Sequence, residues 1–111
     1  MSLSISTDTR DSAVVVQAEG DLDVYTAPRL KEALDAYVAG KGRLVLDLSE
    51  VHFIDSTALG VLVGVLQQTQ INGGDFRLVV GDPFLLKIFH ITGFDGIFSI
   101  FPELTEALSA N

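Results

Sequence analysis

The sequence predicts an α/β fold: an N-terminal antiparallel hairpin followed by βα units, building one mixed sheet with about four helices. Three observations carry this. The chain opens with two segments of strand character separated by a polar cluster, apolar patterning then switches between periods of 2 and 3.6, and every strand after the hairpin is followed by a helix. Crossovers of that kind return the chain parallel and lay helices over the sheet. The 111 residues match one domain over positions 1–111, within the usual ~100 to 200 residues per domain. Strand order is not fixed by the pattern.

In the first strand Leu3, Ile5 and Thr7 point one way and Ser4, Ser6 and Asp8 the other, the period of a half-buried strand. Thr9-Arg10-Asp11-Ser12 makes the turn, and the β-branched residues of Ala13 to Ala18 favour an antiparallel partner strand. Gly20 is expected to end it, leaving Asp21 to Tyr25 as an acidic loop. A helix follows, with Thr26 as cap, Pro28 in its first turn and Leu30, Ala33, Leu34, Tyr37 and Val38 on one face; Gly40 stops it. Arg43 to Leu48 is apolar on both faces, as in a strand covered on two sides, and Val51 to Ile54 prolongs or neighbours it.

A second helix starts at Asp55 or Ser56, carries Leu59, Leu62, Val63 and Leu66 inward, and closes at Asn72-Gly73-Gly74. Phe76 to Val80 is the next strand. Asp82 and Pro83 open a third helix with Leu85, Ile88 and Phe89 buried, ending at Gly93. Ile97 to Phe101 is the last strand, and a short helix from Pro102 turns Leu104, Ala107 and Leu108 inward.

Composition narrows the function. Hydrophobic residues make up 48% and charged residues 20%, a globular balance rather than a disordered one. Seven Lys and Arg stand against fifteen Asp and Glu, a net charge of −8, which repels phosphate backbones and anionic headgroups; neither a nucleic-acid nor a membrane-surface role is expected. No cysteine is present, so there is no disulfide or thiolate site, in keeping with a reducing compartment. The longest apolar run, Ala58 to Leu66, is far short of the ~18 to 20 residues that span a bilayer. Met1 to Thr9 has no signal-peptide character. A cytoplasmic protein is expected.

Several chemistries are disfavoured. The chain has no G-x-x-x-x-G-K-[ST] phosphate cradle, and its only histidines, His52 and His90, lack a zinc-binding spacing. Neither a cofactor nor a metal is expected. One segment stands out: Val51-His52-Phe53-Ile54-Asp55-Ser56-Thr57-Ala58-Leu59-Gly60. Here an apolar strand delivers a carboxylate and two hydroxyls onto a helix start, where free backbone N–H groups and the helix dipole favour negative charge. The plain reading is an ordinary N-cap at Asp55 or Ser56. Three adjacent candidates for one cap, with no Glu or Gln to complete a capping box, exceed what a cap needs. A hydrolase with Ser56 as nucleophile, His52 as base and Asp55 as orienter is disfavoured, because consecutive Asp and Ser do not form a Ser-His-Asp line and no G-x-S-x-G elbow is present. Gly60 and Gly64 lie on one helix face and are read as close packing.

Four stretches carry a family resemblance: Gly20-Asp21-Leu22-Asp23 with Thr26-Ala27; Leu46-Asp47-Leu48; Phe53-Ile54-Asp55-Ser56-Thr57-Ala58-Leu59-Gly60-Val61; and Thr92-Gly93. Together they resemble the STAS-domain family of bacterial anti-sigma factor antagonists over nearly the whole chain. The resemblance implies that Ser56 is phosphorylated by a partner that is both anti-sigma factor and serine kinase. The unphosphorylated form binds that kinase and frees its sigma factor; phosphorylation ends the binding, and a serine phosphatase reverses it. The domain is then a switch and a substrate, not an enzyme, and a monomer or weak dimer.

Under this resemblance Asp55, Thr57 and Ala58 form the neighbourhood of the switch, and Asp21, Asp23, Leu59 and Gly60 bind the partner. Ala58 and Phe94 depart from the glycine and leucine of the family pattern. Asp21 and Asp23 are expected to be exposed and to steer a basic kinase surface. Thr57 is expected to turn its hydroxyl toward backbone groups, leaving Ser56 as the acceptor. The rival role within the same fold is a regulatory subunit docked on an ATP-driven lipid or solute transporter.

Overall fold

In the computed structural model, which describes residues 2–110, the elements run β1 (Leu3–Arg10), β2 (Ala13–Leu22), α1 (Ala27–Asp35), β3 (Arg43–Ile54), α2 (Ser56–Ile71), β4 (Asp75–Val79), α3 (Pro83–Ile91), a 3₁₀ turn (Phe94–Gly96), β5 (Ser99–Phe101) and α4 (Leu104–Ser109). Met1 and Asn111, the two ends of the expected 1–111 domain, lie outside the described residues. The strands form one sheet in the order β1-β2-β3-β4-β5. β1 and β2 are antiparallel, and the pairs β2–β3, β3–β4 and β4–β5 are parallel. The mixed α/β sheet and its four helices agree with the sequence pattern.

The two faces of the sheet carry two cores. Leu44, Leu46, Leu48, Val51 and Ile54 of β3 face the larger one with Leu30 and Leu34 of α1, Leu62 and Leu66 of α2, and Leu85 and Phe89 of α3. Val15, Val45 and Val79 face the smaller one, covered by Ala107, Leu104 and Leu108 of α4. Arg77 fastens that helix, since its Nη1 donates to the carbonyls of Ala107 (2.9 Å) and Ala110 (2.5 Å).

Several expected boundaries move. Gly20 does not end its strand: β2 runs on to Leu22 through it, at φ +122°. That conformation is open to glycine, and a Cβ there would lie 2.2 Å from the Ser2 carbonyl oxygen. α1 stops at Asp35 rather than near Gly40, because the chain tightens into i→i+3 turns, Tyr37 N–H to Leu34 O and Gly40 N–H to Tyr37 O. β5 begins at Ser99, as the 3₁₀ turn consumes the residues before it and Phe98 drops into the core against Phe76, Phe89 and Phe94. The hairpin turns on Asp11 (φ 51°) and Ser12 (φ 69°), the paired positive φ angles of a two-residue I′ turn.

β3 is a single strand of 12 residues with two irregularities. Gln17 pairs with Asp47 but Glu19 with Glu50, and Gly20 pairs with Val51 but Asp21 with Phe53. Each step adds one residue to β3 and shifts its alternation by one. The core face therefore takes Leu48, then Val51, then Ile54, while His52 and Phe53 are both exposed.

Candidate functional site

The second bulge and the end of β3 aim the backbone into α2. Asp55 is the N-cap: its backbone is extended (φ −110°, ψ 179°) and its Oδ1 accepts from the Ala58 N–H at 3.1 Å. This resolves the choice between Asp55 and Ser56. With the cap taken by its neighbour, Ser56 occupies the first helical position, exposed to solvent, and Thr57 beside it is exposed as well. Among the described residues no hydrogen bond engages either hydroxyl, so the expected turning of Thr57 toward the backbone does not occur. The two differ in surroundings: Thr57 lines a groove of about 450 Å³ between α1 and α2, with Lys31, Gly60, Val61 and Gly64.

Asp55 has a second role. Its Oδ2 accepts from the Val24 N–H at 3.0 Å, and its own N–H donates to the Leu22 carbonyl at 3.0 Å. The loop after β2 is thereby attached to the start of α2. From its other side the loop is held by Asp23, whose Oδ1 accepts from the N–H groups of Tyr25 (2.9 Å) and Thr26 (3.0 Å).

Four expectations are corrected at this site. Asp23 is only 5% exposed, so it braces the loop from within and is not a surface charge; Asp21 is half-buried. Thr26 does not cap α1 through its side chain; its Oγ1 accepts from the Asp23 N–H (2.9 Å) and donates to the Asp21 carbonyl (2.8 Å). Leu59 is buried in the larger core and presents no surface to a partner, whereas Gly60 is exposed. Ala58 is fully buried in the larger core, where its methyl fills space that a glycine would leave empty. The close-packing reading of Gly60 and Gly64 also fails, since a Cβ at either would meet nothing within 4 Å.

What the loop displays instead is apolar. Val24 is 53% and Tyr25 82% exposed, with Phe53 at 43% and Phe84 at 57%. These residues follow or end β2, β3 and β4, at the same end of the sheet as Ser56. Together they give this end of the sheet an exposed apolar character. Sequence reasoning missed it because Asp21 and Asp23 drew attention to charge, and because the bulge that exposes Phe53 leaves no periodic signal.

His52, placed outward by the bulge, sets its Nδ1 2.5 Å from Asp82 Oδ2. Asp82 also caps α3 through Oδ1, which accepts from Phe84 N–H (2.7 Å) and Leu85 N–H (3.4 Å). The hydrolase arrangement is therefore not assembled: the carboxylate on His52 is Asp82, and both oxygens of Asp55 accept backbone N–H groups. The hydrogen bond to Asp82 raises the His52 pKa, against desolvation and with help from the charges of Asp82, Glu50 and Asp21. The same bond lowers the pKa of Asp82. The contribution of the raised His52 is complete below its unfolded value and is lost as pH rises through the folded one; that of Asp82 is lost as pH falls through its lowered value. An NMR titration is expected to place His52 above the ordinary 6.5, and Asp82→Asn to return it toward that value. An unchanged midpoint in the variant would remove Asp82 as the cause.

Among the described residues no three His, Cys, Asp or Glu side chains gather into a metal site, and no helix is long and apolar enough to cross a membrane.

Comparison with known proteins bears on this site. The family model described as the STAS domain matches residues 4–107. The anti-sigma-B factor antagonist of Listeria monocytogenes is 36% identical over 102 residues, covering 90% of each chain. The anti-sigma-B factor antagonist of Bacillus subtilis is 32% identical over 100 residues, covering 90% of this chain and 92% of the relative. Among solved structures, an anti-sigma factor antagonist from Mycobacterium paratuberculosis superposes with a TM-score of 0.90 at 34% identity, over 98% of this chain and 93% of that one.

Proposed function

The chain belongs to the STAS-domain family, and from that premise we propose that it acts as an anti-sigma factor antagonist switched by phosphorylation of Ser56. In its unphosphorylated form it binds an anti-sigma factor that is also a serine kinase, so that the sigma factor is released. Phosphorylation of Ser56 by that kinase ends the binding, and a serine phosphatase restores it. The protein is a phosphoacceptor and binding module of the bacterial cytoplasm and itself catalyses no reaction.

The observation that carries this reading is the division of labour at the helix start. Asp55 supplies the cap, leaving the Ser56 hydroxyl exposed and without a structural duty. A kinase can reach it, and a phosphate there costs the fold little. A phosphoserine adds about −1.5 to −2 charge, and the helix N-terminus offsets part of the repulsion from Asp55 by ~0.3 to 2 kcal/mol. At a partner surface fitted to a neutral hydroxyl, the same dianion forfeits a hydrogen bond and desolvates a charge, at several kcal/mol. The fold survives and the complex does not. Val24, Tyr25, Phe53 and Phe84 are exposed at the same end of the sheet, so association depends on burial of these side chains more than on steering by Asp21 and Asp23.

A pull-down from native extract, before and after phosphatase treatment of the bait, tests the proposal. A kinase of the anti-sigma type is expected with dephosphorylated bait only. Recovery of transporter subunits, irrespective of treatment, would replace this reading with the transporter role.

A further inference from the structure

We infer that Asp55 is a positioning residue that fixes the Val24–Tyr25 loop and the Ser56 helix start as one preformed binding surface. The inference rests on the partner-binding reading above and assigns the device that makes the surface rigid. Tyr25 is 82% exposed, yet its backbone is not free. Its N–H is taken by Asp23 Oδ1 and the N–H of Val24 by Asp55 Oδ2, which reaches across 31 positions of sequence. The other oxygen of Asp55 holds the Ala58 N–H, and the Asp55 N–H holds the Leu22 carbonyl. One side chain and its own peptide group thus connect the end of β2, the loop and the first turn of α2.

A cap needs only the bond from the Ala58 N–H, and Ser, Thr or Asn would supply it. Here the two N–H groups belong to different elements and each is taken by a different oxygen of Asp55, a pair of acceptors that a carboxylate offers and that Asn, with one oxygen and one NH₂, does not. Asn would turn a donor toward one of the two N–H groups in either amide orientation. Ser at this position would accept from Ala58 but would not extend to Val24 as well. The consequence is for binding: an exposed aromatic residue on a loop already held in place anchors a partner without the ordering cost that a mobile loop would bring.

The experiment compares wild type with Asp55→Ser, which keeps the cap, and Asp55→Asn, which keeps the shape. Amide hydrogen exchange is followed by NMR, and binding is measured to the purified anti-sigma kinase recovered in the pull-down. In Asp55→Ser, loss of a hydrogen bond to a charged group is expected to speed exchange at Val24 by about tenfold or more while the interior amides of α2 keep wild-type rates. Kinase binding is expected to weaken about tenfold to a hundredfold in both variants. Unchanged exchange at Val24 in Asp55→Ser, or faster exchange there with unchanged binding, would overturn the inference. Ser56→Asp serves as the control that separates the two readings: it should exchange at Val24 as wild type does and still lose the kinase. Should it keep the kinase, the phosphorylation switch fails, and the Asp55 variants decide on the positioning role by themselves.

Discussion

Ser56→Asp is expected to weaken kinase binding by at least about a hundredfold, while its stability stays within about 0.5 kcal/mol of wild type. The two properties separate because Asp55, not Ser56, caps α2. If Ser56 were the cap, Ser56→Ala would lose ~0.5 to 2 kcal/mol. In this structure it should lose no more than an exposed surface substitution, bind the kinase as wild type does and refuse phosphorylation. Asp55→Ala is the variant expected to show the cap loss of ~0.5 to 2 kcal/mol, with more from the freed Val24 N–H. Thermal melts report stability, and calorimetric titration with the kinase reports affinity. A Ser56→Ala protein destabilised as much as Asp55→Ala would mean that the capping roles have been assigned the wrong way round.

Gly20→Ala should be the most damaging of the glycine-to-alanine changes. Gly20 sits at φ +122°, and the added Cβ would lie 2.2 Å from a backbone oxygen, that of Ser2, so the first residues of the chain must move away. Strain of this kind costs about 3 kcal/mol or more, which in a domain of this size lowers the melting temperature by roughly 12 °C or more. The damage should reach the site, because Gly20 lies beside the register step between Gly20 and Asp21 that leads β2 toward Asp23 and the Val24–Tyr25 loop. A melting temperature within a few degrees of wild type would show that the strand end yields freely and that Gly20 is not required by the fold.

The fold was legible because its signals are local and redundant. Thr9 to Ser12 had to turn, Asp82-Pro83 had to open a helix, and Leu30, Leu34, Leu62 and Leu85 all lie buried as their spacing requires. The position of Ser56 was legible too, since a strand running into Asp-Ser-Thr and a helical stripe leaves little choice of geometry. Its partners were not. Composition marks Asp21 and Asp23 as surface charges, yet Asp23 is drawn inward by N–H groups of the loop that follows it, a demand set by backbone geometry and not by residue type. Leu59, adjacent to exposed Gly60, was assigned to the interface by its place in the motif, while the helical period turns it into the core. His52 and Phe53 break the alternation of β3 only because of bulges against β2, and pairing between strands leaves no trace in either strand alone. The bond from Asp55 to Val24 spans 31 positions and appears only once the chain is folded.

The switch depends on a charge placed at Ser56, and it is tested by a calorimetric titration of the kinase with the protein before and after its phosphorylation by that kinase and ATP, the phosphate being located by mass spectrometry. Phosphate is expected on Ser56 alone, and the modified protein is expected to show no measurable binding where the unmodified one binds. Phosphate on Thr57 instead, or a Ser56-phosphorylated protein that binds as tightly as the unmodified one, would contradict it.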